Sequence, residues 1–431
     1  MTLQPAASPS LASEGGSVTE AQPPPPAVSQ RRLLSWLLAA VAAMTAGFQG
    51  IQQILMPAQI EVIDAASKVS NLALVTAVSS ITAVLGLLAG GVVSDRTFGR
   101  WGRRTPSLVF SAIVSAVLML AMGGTRALGP LLALYAALWF VANYYQGALT
   151  AILPDRVPIE RRGTGSAVMA LGMPLGVVLG VNVAAQAKTQ MAYVVLAALF
   201  ILATAGLVWF AREAPAEPRA GKPAASRTIP RTVLDFVSSF RTLDFTLAFV
   251  GRALMFFSCF SVTGYTYYIL QDHIGVAGLH GMSVRQAVSV LISIQMVGCL
   301  LSAGVAGWLA DRLGRPKLFV WASSIGLAFA FLVPVFSPTW TGMIVLQTCT
   351  GLFFGAYLAV DLALMSLVLP NRDAEGRDMA ILAVATSGPQ ILSPLIAGAL
   401  IATLGYSSLF LFGALMALLA GLVVFFIKSV K

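Results

Sequence analysis

Residues 90–106 read "GGVVSDRTFGRWGRRTP" and residues 306–317 read "AGWLADRLGRPK": two short charged stretches, each preceded and followed by a long apolar run. Aligning Asp95 with Asp311 sets an offset of 216 residues, and the same offset carries Pro154 onto Pro370. Two anchors that agree over some sixty residues point to a duplicated chain. A helix that crosses a bilayer needs about 20 mostly apolar residues. Working outward from the two charged stretches, such runs occupy residues 33–58, 70–93, 106–124, 130–152, 165–185 and 191–211. A second set follows at 246–270, 285–308, 318–336, 342–369, 379–402 and 408–427. The expectation is an all-α integral membrane protein of twelve transmembrane helices, arranged as two pseudo-symmetric six-helix bundles.

Composition agrees. With 58% hydrophobic and only 10% charged residues, the chain has too little polar side chain to cover a water-exposed surface. The net charge of +10 sits in short clusters between apolar runs, without the aromatic interleaving of a single-strand nucleic-acid binder, so no nucleic-acid partner is expected. Cys259, Cys299 and Cys349 each fall inside a span and read as small core residues. Residues 1–31, with a PPPP run and no apolar period, read as a disordered tail. Residues 32–211 form the first bundle, 212–245 a linker and 246–431 the second bundle.

Lys and Arg favour the cytoplasmic side of a membrane protein. Sorted by alternate loops, all 27 fall on one side except Lys68, Arg126, Lys188 and Arg285 on the other and Arg252 inside the seventh span. The chain therefore reads as multi-pass in a cell membrane, plasma or bacterial inner, with both termini and the linker cytoplasmic. An error of one span would scramble this asymmetry, so the charges independently support an even number of helices.

The pattern of Gly91, Asp95, Arg96, Gly102, Arg103 and Arg104 resembles the loop motif that the major facilitator superfamily carries between its second and third helices. Gly307, Asp311, Arg312, Gly314 and Arg315 are similar to its weaker copy between helices eight and nine. The resemblance runs from about residue 33 to the end of the sequence. It implies a transporter in which Asp95, Arg96, Arg104, Asp311 and Arg312 gate the bundles on the cytoplasmic side. A carboxylate at a helix end caps backbone N–H groups and pairs with arginine, contacts that can break and re-form between two states. The other reading of the arginines is that they only enforce topology.

Within the superfamily, "SDRTFGRWGRRTP" resembles most the glycoside, pentoside and hexuronide cation symporters and the sucrose carriers, which implies symport of a sugar-like solute. The acidic residues of those symporters' first helices have no counterpart here. The rival is proton-coupled export of a drug or secondary metabolite. Gly163, Gly172 and Gly176 around Pro174 partly match the fifth-helix motif of drug antiporters, although small residues also simply let helices approach. A transporter-like solute receptor is the alternative of another class.

Ionisable groups inside spans are costly and serve function or pair with one another. Asp361 lies eight residues before Leu369, about 12 Å from the expected helix end. A carboxyl group drawn out of water can take up a proton near neutral pH, which makes Asp361 the candidate proton-coupling residue, with H+ as the coupling ion. The alternative is a permanent salt bridge with Arg252. Polar residues at helical spacing suggest a solute site built by several helices: Gln49 and Gln53, Asn143 and Gln146, Tyr265 and Tyr268, Tyr357, and Gln390. Amides, hydroxyls and aromatic faces suit a small hydroxylated or mixed polar and apolar molecule. There is no Walker loop for ATP and no Ser-centred elbow of a hydrolase, and neither His273 nor His280 has metal-site companions. No enzyme activity, metal or cofactor is expected. The expected partners are a small-molecule substrate, a coupling proton and the lipid bilayer, with the protein acting as a monomer.

Overall fold

A backbone in hydrocarbon has no water to satisfy its N–H and C=O groups, so each apolar run must close its own hydrogen bonds as a helix. The computed structural model describes residues 29–97, 99, 101–213, 240, 242–368 and 375–427. The expected tail up to residue 28, nearly all of the linker, and Pro370 with its loop lie outside the described residues. Twelve described helices are long and apolar enough to span a membrane. They are α1 (Gln30–Ile63), α2 (Lys68–Arg96), α3 (Thr105–Gly123), α4 (Leu128–Arg156), α5 (Arg162–Gln186) and α6 (Thr189–Phe210). The second set is α7 (Leu243–Thr263), α8 (Val284–Leu313), α9 (Pro316–Phe336), α10 (Trp340–Leu367), α11 (Glu375–Leu404) and α12 (Ser407–Phe425).

The helices exceed the expected apolar runs where their ends leave the hydrocarbon. α2 continues through Asp95 to Arg96, and α8 through Asp311 to Leu313, so both acidic residues stand on a last helical turn rather than in a loop. Gly314, with φ 60°, ends α8 in the left-handed conformation that a glycine adopts without strain. Pro106 and Pro316 open the next helices in the first turn, where the missing N–H costs nothing.

The first helix of each half is irregular at its far end. In α1 the turn Ile51–Leu55 is π-helical. Pro57 follows it, has no N–H to donate, and its ring would crowd the carbonyl four residues back, so the ladder loosens there. The expected span 246–270 is likewise interrupted. α7 stops before Gly264, and the chain continues through a short turn, Thr266–Tyr268, and a π-helical stretch, Ile269–Gly275. At the 216-residue offset Ile51 falls on Tyr267, so the two irregular turns fall at corresponding places in the duplication.

Packing repeats as well. In the first half α1 lies on α5 and α6, and α4 lies on α2 and α3; in the second half α7 lies on α11 and α12, and α10 lies on α8 and α9. α3 against α6 matches α9 against α12. Backbones approach closely at glycines. A Cβ on Gly86 or Gly90 of α2 would strike the backbone of Phe140 or Tyr144, and one on Gly351 or Gly355 of α10 would strike Gln295 or Cys299 of α8. Gly172 and Gly176 of α5 meet Val41 and Ala42 of α1 in the same way, whereas Gly163 faces open space. The two bundles meet along α2 with α11 and along α5 with α8.

Candidate functional site

The site is framed by the contacts that hold the two bundles together and by the polar groups left between them. One face carries most of the arginines; the other is the far face. On the far face the bundles are locked across their interface. Lys68, at the start of α2, holds Asp272 of the second half at 2.8 Å and Glu61 of the first at 3.2 Å. Gln271 donates to Glu61, and the Tyr268 hydroxyl donates to the Pro57 carbonyl at 3.0 Å. Tyr406 donates to Asp272 at 2.5 Å, and Arg285 donates to the Thr189 hydroxyl at 2.7 Å. At mid-depth Asn182 of α5 donates to Ser293 of α8 at 3.2 Å, and Ser80 of α2 donates to the Gln390 carbonyl of α11 at 3.4 Å.

The arginine-rich face is built differently. Arg104 is 4% exposed and gathers Asp95 at 2.6 Å, Asp155 at 2.9 Å and the Ser94 hydroxyl at 2.6 Å. Arg103 adds a second contact to Asp95 at 3.4 Å. Glu213 accepts from the Arg104 and Thr105 backbone N–H groups at 2.8 and 3.1 Å, capping α3 from more than a hundred residues away. Every one of these contacts lies within the first half or between it and Glu213 at the start of the linker. Among the described residues, no ion pair of this face joins the two bundles. Arg96 and Asp311 are exposed and form no ion pair among the described residues, and Arg312 lies over the ring of Trp308 on its own helix at 5.3 Å. A pocket of about 390 Å³ opens here, lined by Trp101, Thr105, Val208, Trp209, Arg212 and Glu213. Four of the six belong to the first half, Arg212 and Glu213 begin the linker, and the pocket's only carboxylate already caps α3.

The charged centre within the membrane belongs to the second half. Arg252 of α7 contacts the Asp361 Oδ2 of α10 at 2.8 Å and donates from Nε to the Thr386 hydroxyl of α11 at 3.1 Å. Its guanidinium lies over the Phe256 ring at 5.6 Å. The paired Asp361 that the sequence left as an alternative is thus the observed arrangement. Tyr357, one turn earlier on α10, stacks on Phe354 at 6.0 Å. Its hydroxyl and Asp361 Oδ1 are buried, and neither makes a hydrogen bond of ordinary geometry. Thr350 Oγ1, Ser393 Oγ and Gln49 Oε1 are buried without a partner too. A buried polar atom left unmatched costs roughly 1–3 kcal/mol. Besides the Tyr357–Asp361 pair, three such atoms lie on α1, α10 and α11, where a polar ligand or water can satisfy them.

The candidate solute residues divide into two groups. Tyr265 donates to the Pro394 carbonyl at 2.8 Å and Tyr268 to Pro57, so both hydroxyls are already spent, the second of them on locking the far face. Asn143 turns its amide back to the Trp139 carbonyl at 2.8 Å. Gln53 is buried, and Gln49, Gln146 and Gln390 are half-buried. Asp155, Glu213, Glu61 and Asp272 escaped the sequence reading. One signal for the far-face lock was present. Lys68 and Arg285 are two of the four basic residues that break the charge asymmetry, and each bridges the bundles.

The family model described as Major Facilitator Superfamily matches residues 35–287 and 277–431. No curated protein matches the sequence. Among solved structures, a bacterial homologue of the human lysosomal transporter Spinster is similar in its inward-facing, occupied conformation, with a TM-score of 0.68 and 14% identity over 92% of this chain and 97% of that one. The same homologue in its inward-facing, unoccupied conformation gives a TM-score of 0.61 at 14% identity, over 92% of this chain and 95% of that one. A mutant form of the nucleoside transporter NupG gives a TM-score of 0.72 at 14% identity, covering 91% of this chain and 99% of that one.

Proposed function

The chain belongs to the Major Facilitator Superfamily, and from that membership we propose that it moves a small organic solute by alternating access, coupled to protons at Asp361. It is a transporter rather than an enzyme. The observation that supports the coupling role is the state of Asp361. Its side chain is 3% exposed, one oxygen is held by Arg252, and the other is buried beside the Tyr357 hydroxyl without a hydrogen bond of ordinary geometry. A carboxyl group in that setting can exchange its arginine for a proton, and the two bonding states can be tied to two positions of the helices around it.

The far-face lock fits a carrier closed on the far face and open on the arginine-rich side. Under the charge rule that side is cytoplasmic, with residues 32–211 and 246–431 as the rocking bundles and 212–245 as the cytoplasmic linker. A hydroxylated, sugar-like solute taken up by symport is the favoured cargo. The amide groups of Gln49, Gln146 and Gln390 suit it, and one neighbour in fold is named for transporting nucleosides, which contain a sugar. The rival reading, export of a drug, rested on Gly163, Gly172 and Gly176, two of which have a packing duty against α1.

The test is Asp361→Asn in proteoliposomes. Counterflow of the solute is expected to persist while accumulation on an imposed proton gradient is lost. Accumulation at the wild-type level would end the coupling assignment.

A further inference from the structure

The pair that supports the coupling proposal also bears on the cargo. Arg252 and Asp361 are unequally placed: the arginine side chain keeps 13% of its surface accessible, the aspartate 3%. The aspartate is thus the more deeply buried of the two. A guanidinium has five N–H donors in a planar fork. Here Nε donates to Thr386 and Nη1 lies 2.8 Å from Asp361 Oδ2, and no hydrogen bond from Nη2 to another acceptor is found among the described residues. Around it stand aromatic faces. Phe256 lies beneath the guanidinium, half-buried Phe260 is 5.5 Å from Phe256, and half-buried Phe354 is stacked on Tyr357.

The two halves supply a control for the reading that this pair merely builds the bundle. At the 216-residue offset Arg252 corresponds to Trp36 and Asp361 to Tyr145. Trp36 stacks on Phe210 with ring centroids 5.2 Å apart, and the Tyr145 hydroxyl meets Thr204 at 3.0 Å. The same six-helix packing is achieved there with neutral side chains. A buried ion pair is poor evidence of stabilisation, because desolvation offsets its attraction.

We propose that Arg252 is the anchor for an organic monoanion, a solute whose single carboxylate competes with Asp361 for the guanidinium. This rests on the coupling role proposed for Asp361. When the solute carboxylate takes the open edge of Arg252, Asp361 is released and takes up one proton. The loaded carrier thus has the same net charge as the empty one, and solute and proton cross together without net charge movement. The residues of α1, α4 and α11 contact the body of the solute; Arg252 reads its charge.

The experiment uses the full-length carrier in lipid nanodiscs, with thermal stabilisation and isothermal titration as readouts. The probes are monocarboxylates paired with their primary amides: glucuronate with glucuronamide, lactate with lactamide, benzoate with benzamide. At least one acid is expected to bind about tenfold or more tightly than its amide, the discrimination expected when a charge-assisted contact is lost. Arg252→Gln is expected to abolish that preference. Because Arg252→Gln leaves an unpaired buried carboxylate, the double variant R252Q/D361N, neutral at both positions, carries the same expectation in a folded carrier. Asp361→Asn is expected to keep acid binding and make it independent of pH between about 5.5 and 8. Equal binding of acid and amide, an acid preference that survives in R252Q/D361N, or no acid in the panel binding at all overturns the proposal. Failure of the coupling role reads differently: acids then bind through Arg252, but a proton gradient does not drive them.

Discussion

The two halves of this protein pack their helices alike and place their charges differently. In the first half, charge gathers at the arginine-rich face, where Arg104 holds Asp95, Asp155 and Ser94, while the positions equivalent to the second half's ion pair carry Trp36 and Tyr145. In the second half Arg315 stands where Arg104 stands, immediately before the next helix, but it is exposed and makes no ion pair among the described residues, and Asp311 is exposed as well. Its charge lies instead inside the membrane, as Arg252 and Asp361. Helix packing thus needs neither cluster: each half meets it with glycines and apolar side chains, and the ionic groups are additions to that packing.

The largest effect expected from breaking this asymmetry is at the intramembrane pair. Arg252→Gln alone strands a buried carboxylate and should cost about 3–5 kcal/mol, read as a fall in the melting temperature of the solubilised protein. R252Q/D361N should recover most of that loss, because the first half shows that neutral residues fill these positions. A double variant as unstable as the single one would mean that the pair is structural after all.

Next in size is the contrast between the two loop copies. Arg104→Ala removes a nearly buried side chain shared by two carboxylates and a hydroxyl and should cost about 2 kcal/mol, whereas Arg312→Ala, with only a ring contact on an exposed helix end, should stay within about 0.5 kcal/mol. Equal losses in chemical or thermal unfolding would erase the distinction between the copies.

Smaller still is the far-face lock. Lys68→Met removes the cation shared by Glu61 and Asp272 and should shift the carrier by about 1 kcal/mol, roughly fivefold, towards opening on that face. Labelling rates of a cysteine placed just inside the lock measure this, and an unchanged rate would show that the remaining contacts suffice.

The smallest effect concerns pH at the same lock. Burial holds the His273 imidazole below its ordinary range, beside Tyr406 and Phe410. The folded protein therefore disfavours the protonated form. The unfolded chain takes up its proton first as the pH falls through about 6.5, and stability declines from there towards the lower, folded value. His273→Phe should flatten that part of the stability profile, compared with wild type in pH-dependent melting.

Much of this could be read from the sequence because it is repetitive or local. Apolar length sets the spans, and the recurrence of Asp95 at Asp311 reveals the duplication. The intramembrane pair was half legible. Asp361 and Arg252 stood out as charges in apolar runs, but whether their side chains met could not be read from spacing. The far-face lock was less legible, since Glu61, Lys68 and Asp272 look like ordinary loop charges, and Lys68 and Asp272 are 204 residues apart. Tyr265 and Tyr268 read as solute contacts at helical spacing, yet the helix is interrupted at Gly264 and both hydroxyls meet backbone carbonyls.

By itself, then, the sequence determined that the chain lies in a membrane, that it has twelve helices in two related sets, and which few charges lie within them. These follow from hydrophobic length and repetition, which act along the chain. The tertiary structure alone decided which charges meet: Arg104 with Asp155, Lys68 with Asp272, and Arg252 with Asp361 and Thr386. Such meetings depend on the rotation and tilt of helices brought together by close packing at glycines such as Gly90 and Gly355, and composition along the chain does not encode that rotation.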